Sequence, residues 1–317
     1  MEKINVIIDC DPGIDDTLAL LMALLSEDVN VLGISICGGN NTVDKGYLNA
    51  KRVLHFLGKE VEVVKGLEKP CHRPLEITEE THGVDGFGEY APAFDKAYGF
   101  DAAAHTPERS MEAFYEAVLN SGQEVQVLAL GPMTNIAHLL ERMPEAFGKV
   151  TRLVSMGGNY KSHGNCSPLA EFNYWVDPEA ACFVYQHAPV PVEMVGLDVT
   201  RQILLEETRL QALIDTNPKI GHFIQEITRF YKDFHWKYEG IRGCIINDPL
   251  AFALLIDEEL LQGFEAYTDI ACEGIARGVS VVDDHHFYKK PANAIIYNKV
   301  DAPRFFEKLQ AIFGGAR

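Results

Sequence analysis

The sequence predicts an open, mainly parallel, doubly wound α/β sheet, with long loops and helices forming the rim of a pocket. Short apolar β-rich runs alternate with helically periodic segments, which is the mark of right-handed strand–helix–strand crossovers. The runs themselves, such as NVII and VLAL, are apolar almost throughout, as suits strands covered on both faces. An acid-rich turn directly after the first run places polar groups at a carboxyl strand end, where such sheets bind their ligands.

Strands are expected at residues 4–8, 31–36, 61–64, 125–130, 153–156 and 192–195, with helices at 18–25, 46–57, 111–119, 136–140 and 178–185. Two stretches break the alternation. Residues 68–106 are rich in Gly, Pro and His, and residues from about 205 to 238 read as a long helical region carrying Phe, Tyr and Trp. Long insertions in compact folds commonly shape binding sites, so both are candidates for the pocket rim. A β-rich tail at 264–272, 279–282 and 294–297 suits a hairpin or edge strands before a terminal helix near 303–313.

The chain has 317 residues, 47% of them hydrophobic, which is enough for a large core. Length alone suggests two domains at about 150 residues each, but no linker or repeat divides the chain, so one domain over residues 1–317 is expected. With 28 basic against 46 acidic side chains the formal charge is −18. That balance repels phosphate backbones and anionic lipid, so neither nucleic acid nor a membrane is an expected partner. The early apolar run is ended by acids within ten residues and does not read as a signal peptide. Seven scattered cysteines without a C-x-x-C pair fit a reducing compartment, and a cytoplasmic protein is expected.

The most informative segment is Asp9-Cys-Asp11-Pro-Gly-Ile-Asp15-Asp16, between the first strand and the first helix. Asp9 and Asp11, two apart on a strand, are expected to share a face. Asp15 and Asp16 fall in the first helical turn, pointing about 100° apart. One or two of these acids are explained by helix capping or turn closure. Four of them within one turn of chain raise one another's pKa values unless a cation intervenes. With no His beside them, the fitting cation is hard and oxygen-seeking, Ca²⁺ or Mg²⁺.

Further polar segments follow later strands: Gly38-Gly39-Asn40-Asn41, Leu130-Gly131-Pro132-Met133-Thr134-Asn135, and Met156-Gly157-Gly158-Asn159. Asn165, Glu171 and Asn173 offer groups suited to hydroxyls, and Phe172 and Trp175 offer flat apolar surface. Asp248, in Asn247-Asp248-Pro249, is either a helix cap or one more metal carboxylate.

Together, D-x-D-P-G-x-D-D, G-P-x-T-N-I-A, the N-x-x-x-x-x-E-F-N block and D-P-L-A resemble the inosine-uridine-preferring nucleoside hydrolase family, in order from about residue 4 to the terminal helix. The resemblance implies a calcium-dependent enzyme, usually a homodimer or homotetramer, that cleaves the N-glycosidic bond of ribonucleosides to free base and ribose. It implies that Asp11, Asp16, Asp248 and the Leu130 carbonyl bind Ca²⁺, with Asp9 supporting them from behind, and that Asp11 acts as general base toward the attacking water. Asp15, Asn40 and Asn173 would hold the ribose 2′- and 3′-hydroxyls, with Asn165 and Glu171 reaching the 5′ side and Phe172 lining the site. His82 matches a histidine that the family places beside the pocket.

One position departs from the pattern. Many family members carry His where this chain has Asn247, and an amide cannot protonate a leaving base. Activation of the base would then pass to His82, to His235 or Tyr238, or to stacking on Trp236; the last three are equally readable as helix packing. Two other functions fit parts of the sequence. D-x-D after a first strand also opens haloacid-dehalogenase-type Mg²⁺-dependent phosphatases, and loss of the acid at Asn247 would suit a catalytically weak nucleoside- or ribose-binding protein.

Overall fold

A computed structural model describes residues 3–315. The strands are β1 (Ile4–Cys10), β2 (Val29–Ile36), β3 (Val63–Lys65), β4 (Val125–Ala129), β5 (Val150–Met156), β6 (Val192–Val195), β7 (Leu204–Leu205), β8 (Cys244–Ile245), β9 (Leu261–Ile270), β10 (Ser280–Asp283) and β11 (Ala294–Val300). The helices are α1 (Ile14–Leu25), α2 (Val43–Leu57), α3 (Glu79–His82), α4 (Ala91–Tyr98), α5 (Met111–Leu119), α6 (Thr134–Arg142), α7 (Pro144–Phe147), α8 (Phe172–Val176), α9 (Pro178–His187), α10 (Leu197–Thr200), α11 (Glu207–Thr216), α12 (Pro218–Glu239), α13 (Asp248–Ile256) and α14 (Ala302–Gly315).

Nine strands form one sheet in the order β10-β9-β11-β6-β5-β4-β1-β2-β3, and β7 pairs with β8 beside it. Every pairing from β3 across to β11 is parallel, while β9 runs antiparallel to both β11 and β10. The expected doubly wound sheet is therefore present, with the β-rich tail supplying its mixed edge. Alternate residues of β1 face opposite layers. Val6, Ile8 and Cys10 join the core beneath α1, α2 and α12–α14, whereas Ile7 joins that beneath α5, α6 and α9.

Within the order β3-β2-β1-β4-β5-β6, connections turn one way from β1 and the other way from β4. The carboxyl ends of β1 and β4 thus open a crevice, the switch point at which such sheets place ligands. The loops after both strands carry the motifs singled out from the sequence.

The expected helical region at 205–238 is present as two helices, because Pro218 cannot continue α11 and instead opens α12, with Asn217 accepting the Ile220 N–H at 3.2 Å. One expectation needs correction. Asp9 and Asp11 do not share a strand face, because β1 ends at Cys10 and leaves Asp11 outside the pleat. No helix among the described residues is long and apolar enough to cross a membrane.

Candidate active site

The floor of the crevice is carboxylate. Asp16, in the first turn of α1, accepts the N–H groups of Asp11 (3.2 Å) and Gly13 (3.0 Å) and the Asn40 amide (3.1 Å). It thus caps its own helix as well as facing the cluster. Asp11 Oδ2 accepts the Asn40 N–H at 2.6 Å, while its Oδ1 is buried with no partner among the described residues. Glycines permit this placement: a Cβ on Gly39 would lie 2.1 Å from Asp11 Oδ2, and one on Gly131 2.6 Å from Asp11 Oδ1. Asp248 enters from the start of α13. Carboxylate oxygens of Asp15, Asp16 and Asp248 lie within 4.8 Å of one another.

All four acids are buried, and no Lys or Arg among the described residues pairs with them. Burial, then the charge of Asp16, holds the Asp11 carboxyl well above the usual range. Burial and the charges of Asp15, Asp16 and Asp11 do the same to Asp248, and burial with Asp15 lifts Asp16 to about 6. Such a cluster needs a positive charge to stay ionised at neutral pH. An all-oxygen donor set with an unsatisfied buried oxygen suits a hard divalent cation.

Asp9 lies beneath this floor. Its Oδ2 accepts from Ser35 Oγ (2.5 Å) and Asn135 Nδ2 (2.8 Å), and Tyr115 backs Ser35 at 2.9 Å. Burial raises it to about 7. Asn135 also accepts the Leu67 N–H at 2.8 Å, linking the loops after β3 and β4 under the site.

Above the floor a cavity of about 640 Å³ is lined by Asp15, Asn40, His82, Leu130, Asn165, Glu171, Phe172, Asn173, Tyr238, Asn247 and Asp248 among others. That volume suits a small-molecule ligand. Asn173 Nδ2 donates to the Leu130 carbonyl at 2.7 Å and to that of Met156 at 3.1 Å, joining the ends of β4 and β5. Glu171 caps α8 by accepting from Asn173 and Tyr174 N–H groups, and also from Gly158 N–H at 2.9 Å; burial lifts it to about 7. Asn165 sits at the mouth, its Oδ1 accepting the Phe172 N–H at 2.9 Å.

The residues named for the leaving-group side separate. His82 is buried, and its Nδ1 accepts the Ile14 N–H at 3.1 Å, which leaves a proton on Nε2 when the ring is neutral. Burial lowers its pKa and favours that neutral form. His235 has both nitrogens engaged by backbone, Nδ1 with Tyr231 O at 2.9 Å and Nε2 with Ile245 N at 3.4 Å. Tyr238, 57% exposed, edges the mouth against Phe234. Trp236 is not brought to the cavity. It is 57% exposed on the outer side of α12, with Arg242 over its ring, because one helical step from His235 turns a side chain by about 100°.

Asn247 donates to Asp15 Oδ2 at 2.9 Å, and Tyr231 donates to the same oxygen at 3.4 Å. Sequence reasoning passed over Tyr231, although it stands one turn before His235 on the face of α12 that turns inward, and its ring lies 5.3 Å from that of His82. That i, i+4 aromatic pair was the available sign.

A doubly wound α/β sheet whose switch-point crevice has a buried carboxylate floor beneath a cavity lined by amide and carboxylate side chains defines an α/β protein with a small-molecule site. The comparisons narrow this. Residues 6–307 match the family described as inosine-uridine preferring nucleoside hydrolase. The chain is 34% identical over 310 residues to the pyrimidine-specific ribonucleoside hydrolase RihA of Salmonella paratyphi B, covering 96% of each chain. Among solved structures it is similar to the purine-preferring ribonucleoside hydrolase from Gardnerella vaginalis, with TM-score 0.88, 30% identity and 98% of each chain covered. It is also similar to the plant nucleoside hydrolase PpNRh1, with TM-score 0.90, 26% identity and 99% of each chain covered. The chain belongs to the inosine-uridine preferring nucleoside hydrolase family and is a ribonucleoside N-glycosyl hydrolase. The match leaves no support for the haloacid-dehalogenase-type reading of its Asp-x-Asp pair.

Proposed function

We propose that this hydrolase is calcium-dependent and uses Asp11 as general base. The observation that carries the reading is the buried cluster of Asp11, Asp15, Asp16 and Asp248, which has no basic partner among the described residues and keeps Asp11 Oδ1 unpaired. Asp11, Asp16, Asp248 and the Leu130 carbonyl would hold the ion, with Asp15 close enough to contribute. When bound, the ion supplies charge that keeps these acids ionised and Lewis acidity toward water.

Asp11 then accepts the proton of the attacking water at Oδ1, its other oxygen being fixed by the Asn40 N–H. Asp15, Asn40 and Asn173 hold the ribose 2′- and 3′-hydroxyls, and Asn165 and Glu171 the 5′ side. Breaking the bond develops positive charge on the sugar, which the carboxylate floor stabilises. On the base side, His82 Nε2–H donates to the departing base, while Asn247 orients Asp15 rather than supplying a proton. His235 has no nitrogen left for that task.

Base preference does not follow from similarity, since one relative is named pyrimidine-specific and a comparably similar one purine-preferring. We further propose one catalytic domain that assembles as a homodimer or homotetramer. The seven cysteines, all free, suit a reducing cytoplasm. The test is release of reducing sugar from a panel of purine and pyrimidine nucleosides, with and without EDTA and with Ca²⁺ or Mg²⁺ added back. Chelation should abolish release and Ca²⁺ restore it; undiminished turnover in EDTA would refute the calcium assignment.

A further inference from the structure

We propose that Arg201 is a positioning residue for the 5′ side of the sugar site, acting through the loop that presents Asn165. The inference rests on the assignment of Asn165 and Glu171 to that side. Residues 160–169 contain neither helix nor strand, so side chains rather than a backbone ladder set their path. The clamps come from α10, the short helix after β6, which carries Asp198 in its first turn and Arg201 at its carboxyl cap. Asp198 accepts the N–H groups of Tyr160 (2.6 Å), Lys161 (2.8 Å) and Ser162 (2.9 Å). Arg201 donates to Ser162 Oγ (2.7 Å) and to the carbonyls of His163 (2.7 Å) and Gly164 (2.8 Å). Asn159 holds the same loop from the other side, donating to the carbonyls of Ser162 (2.7 Å) and Leu169 (2.9 Å).

The two carbonyls that Arg201 grips immediately precede Asn165. The Asn165 backbone N–H bonds the Ala170 carbonyl at 3.2 Å and its side-chain oxygen takes the Phe172 N–H, so Nδ2 is left to donate. Gly164 allows the tight return, since a Cβ there would lie 2.2 Å from Ser167 O. Arg201 itself lines the cavity and is half-buried. A planar guanidinium holds Ser162 Oγ, the two carbonyls and the His163 ring at fixed angles, whereas a Lys ammonium is a point charge on a flexible stem. Neighbouring acids keep Arg201 from reading as a free anion receptor: Asp198 lies on the same turn and Glu239 also lines the cavity.

The test measures kcat/KM for uridine and inosine against their 5′-deoxy analogues. Asn165→Ala should erase the preference for the 5′-hydroxyl, which examines the underlying assignment. Arg201→Met should cut turnover of the hydroxylated substrates by about 10- to 100-fold, the scale of a misplaced contact, while changing the 5′-deoxy analogues little. Arg201→Lys should behave like Arg201→Met, and guanidinium ion added to Arg201→Ala should restore the preference. Equal losses on both substrate types, or a preference that survives Arg201→Met but not Asn165→Ala, would overturn the role of Arg201. If Asn165→Ala and Glu171→Gln both leave the preference intact, the 5′ assignment falls first and the proposal with it.

Discussion

Asp11 and Asp15 belong to the same cluster but are held differently, in keeping with the different tasks proposed for them. Asp11 has one oxygen fixed by a backbone N–H and one left unpaired, the arrangement a base needs. Asp15 has an oxygen shared between Asn247 and Tyr231, which orients it toward the cavity wall. Asp11→Asn should therefore lower kcat by about 10³-fold, within the range of general-base catalysis, while circular dichroism reports an unchanged fold. On the base side, His82→Phe removes the Nε2–H donor and should lower kcat by about 10²-fold; Trp236→Ala, on the outer side of α12, should leave kcat and KM as they are. A large loss for Trp236→Ala would show that the rim moves it onto the substrate. The acids after β1 were legible because they are neighbours in sequence, and their chemistry follows from type and spacing. The meeting of Asn247, Tyr231 and Asp15 was not, because more than 200 residues separate the two sides.

Among elements, the parallel strands do two jobs at opposite ends. Their carboxyl ends carry the site, and their amino ends are tied by side chains. Arg152 on β5 pairs with Glu193 on β6 at 2.5 Å, and the Tyr297 hydroxyl of β11 donates to the same Glu193 at 2.7 Å. Both partners of the ion pair are largely buried, so removing one strands the other. Arg152→Met should cost about 3 kcal/mol in urea unfolding, with kcat of the folded fraction unchanged, and Glu193→Leu added to it should recover most of that loss. Helix boundaries show the same mixture of local and distant causes. Proline at 218 split the long aromatic region by local stereochemistry, a break the apolar periodicity alone did not reveal.

For the whole molecule, net charge and metal binding are connected. The chain carries −18, and part of that excess is concentrated in the floor of one cavity rather than spread over solvated surface. A divalent cation held there, as proposed, would stabilise only the folded chain. Ca²⁺ at about 100 times its Kd should add about 2.7 kcal/mol of stability, seen as a higher Tm that EDTA reverses. A Tm indifferent to both would separate the acidic cluster from any resident metal. The hairpin of edge strands formed by β9 and β10 was legible as such in the β-rich tail, but which strand it joins was not, since that depends on which neighbour a strand meets.

The sequence by itself determined the sheet class, the donor chemistry of the loop after β1 and the family, because each rests on residue types at short, ordered spacings. Tertiary structure alone decided which distant side chains share the cavity. It brought Tyr231 and Asn247 onto Asp15, engaged both nitrogens of His235 with backbone, turned Trp236 outward, and set Arg201 against the loop before Asn165. The physical reason is that hydrogen bonds and burial act over a few ångströms of space, which chain separation does not encode.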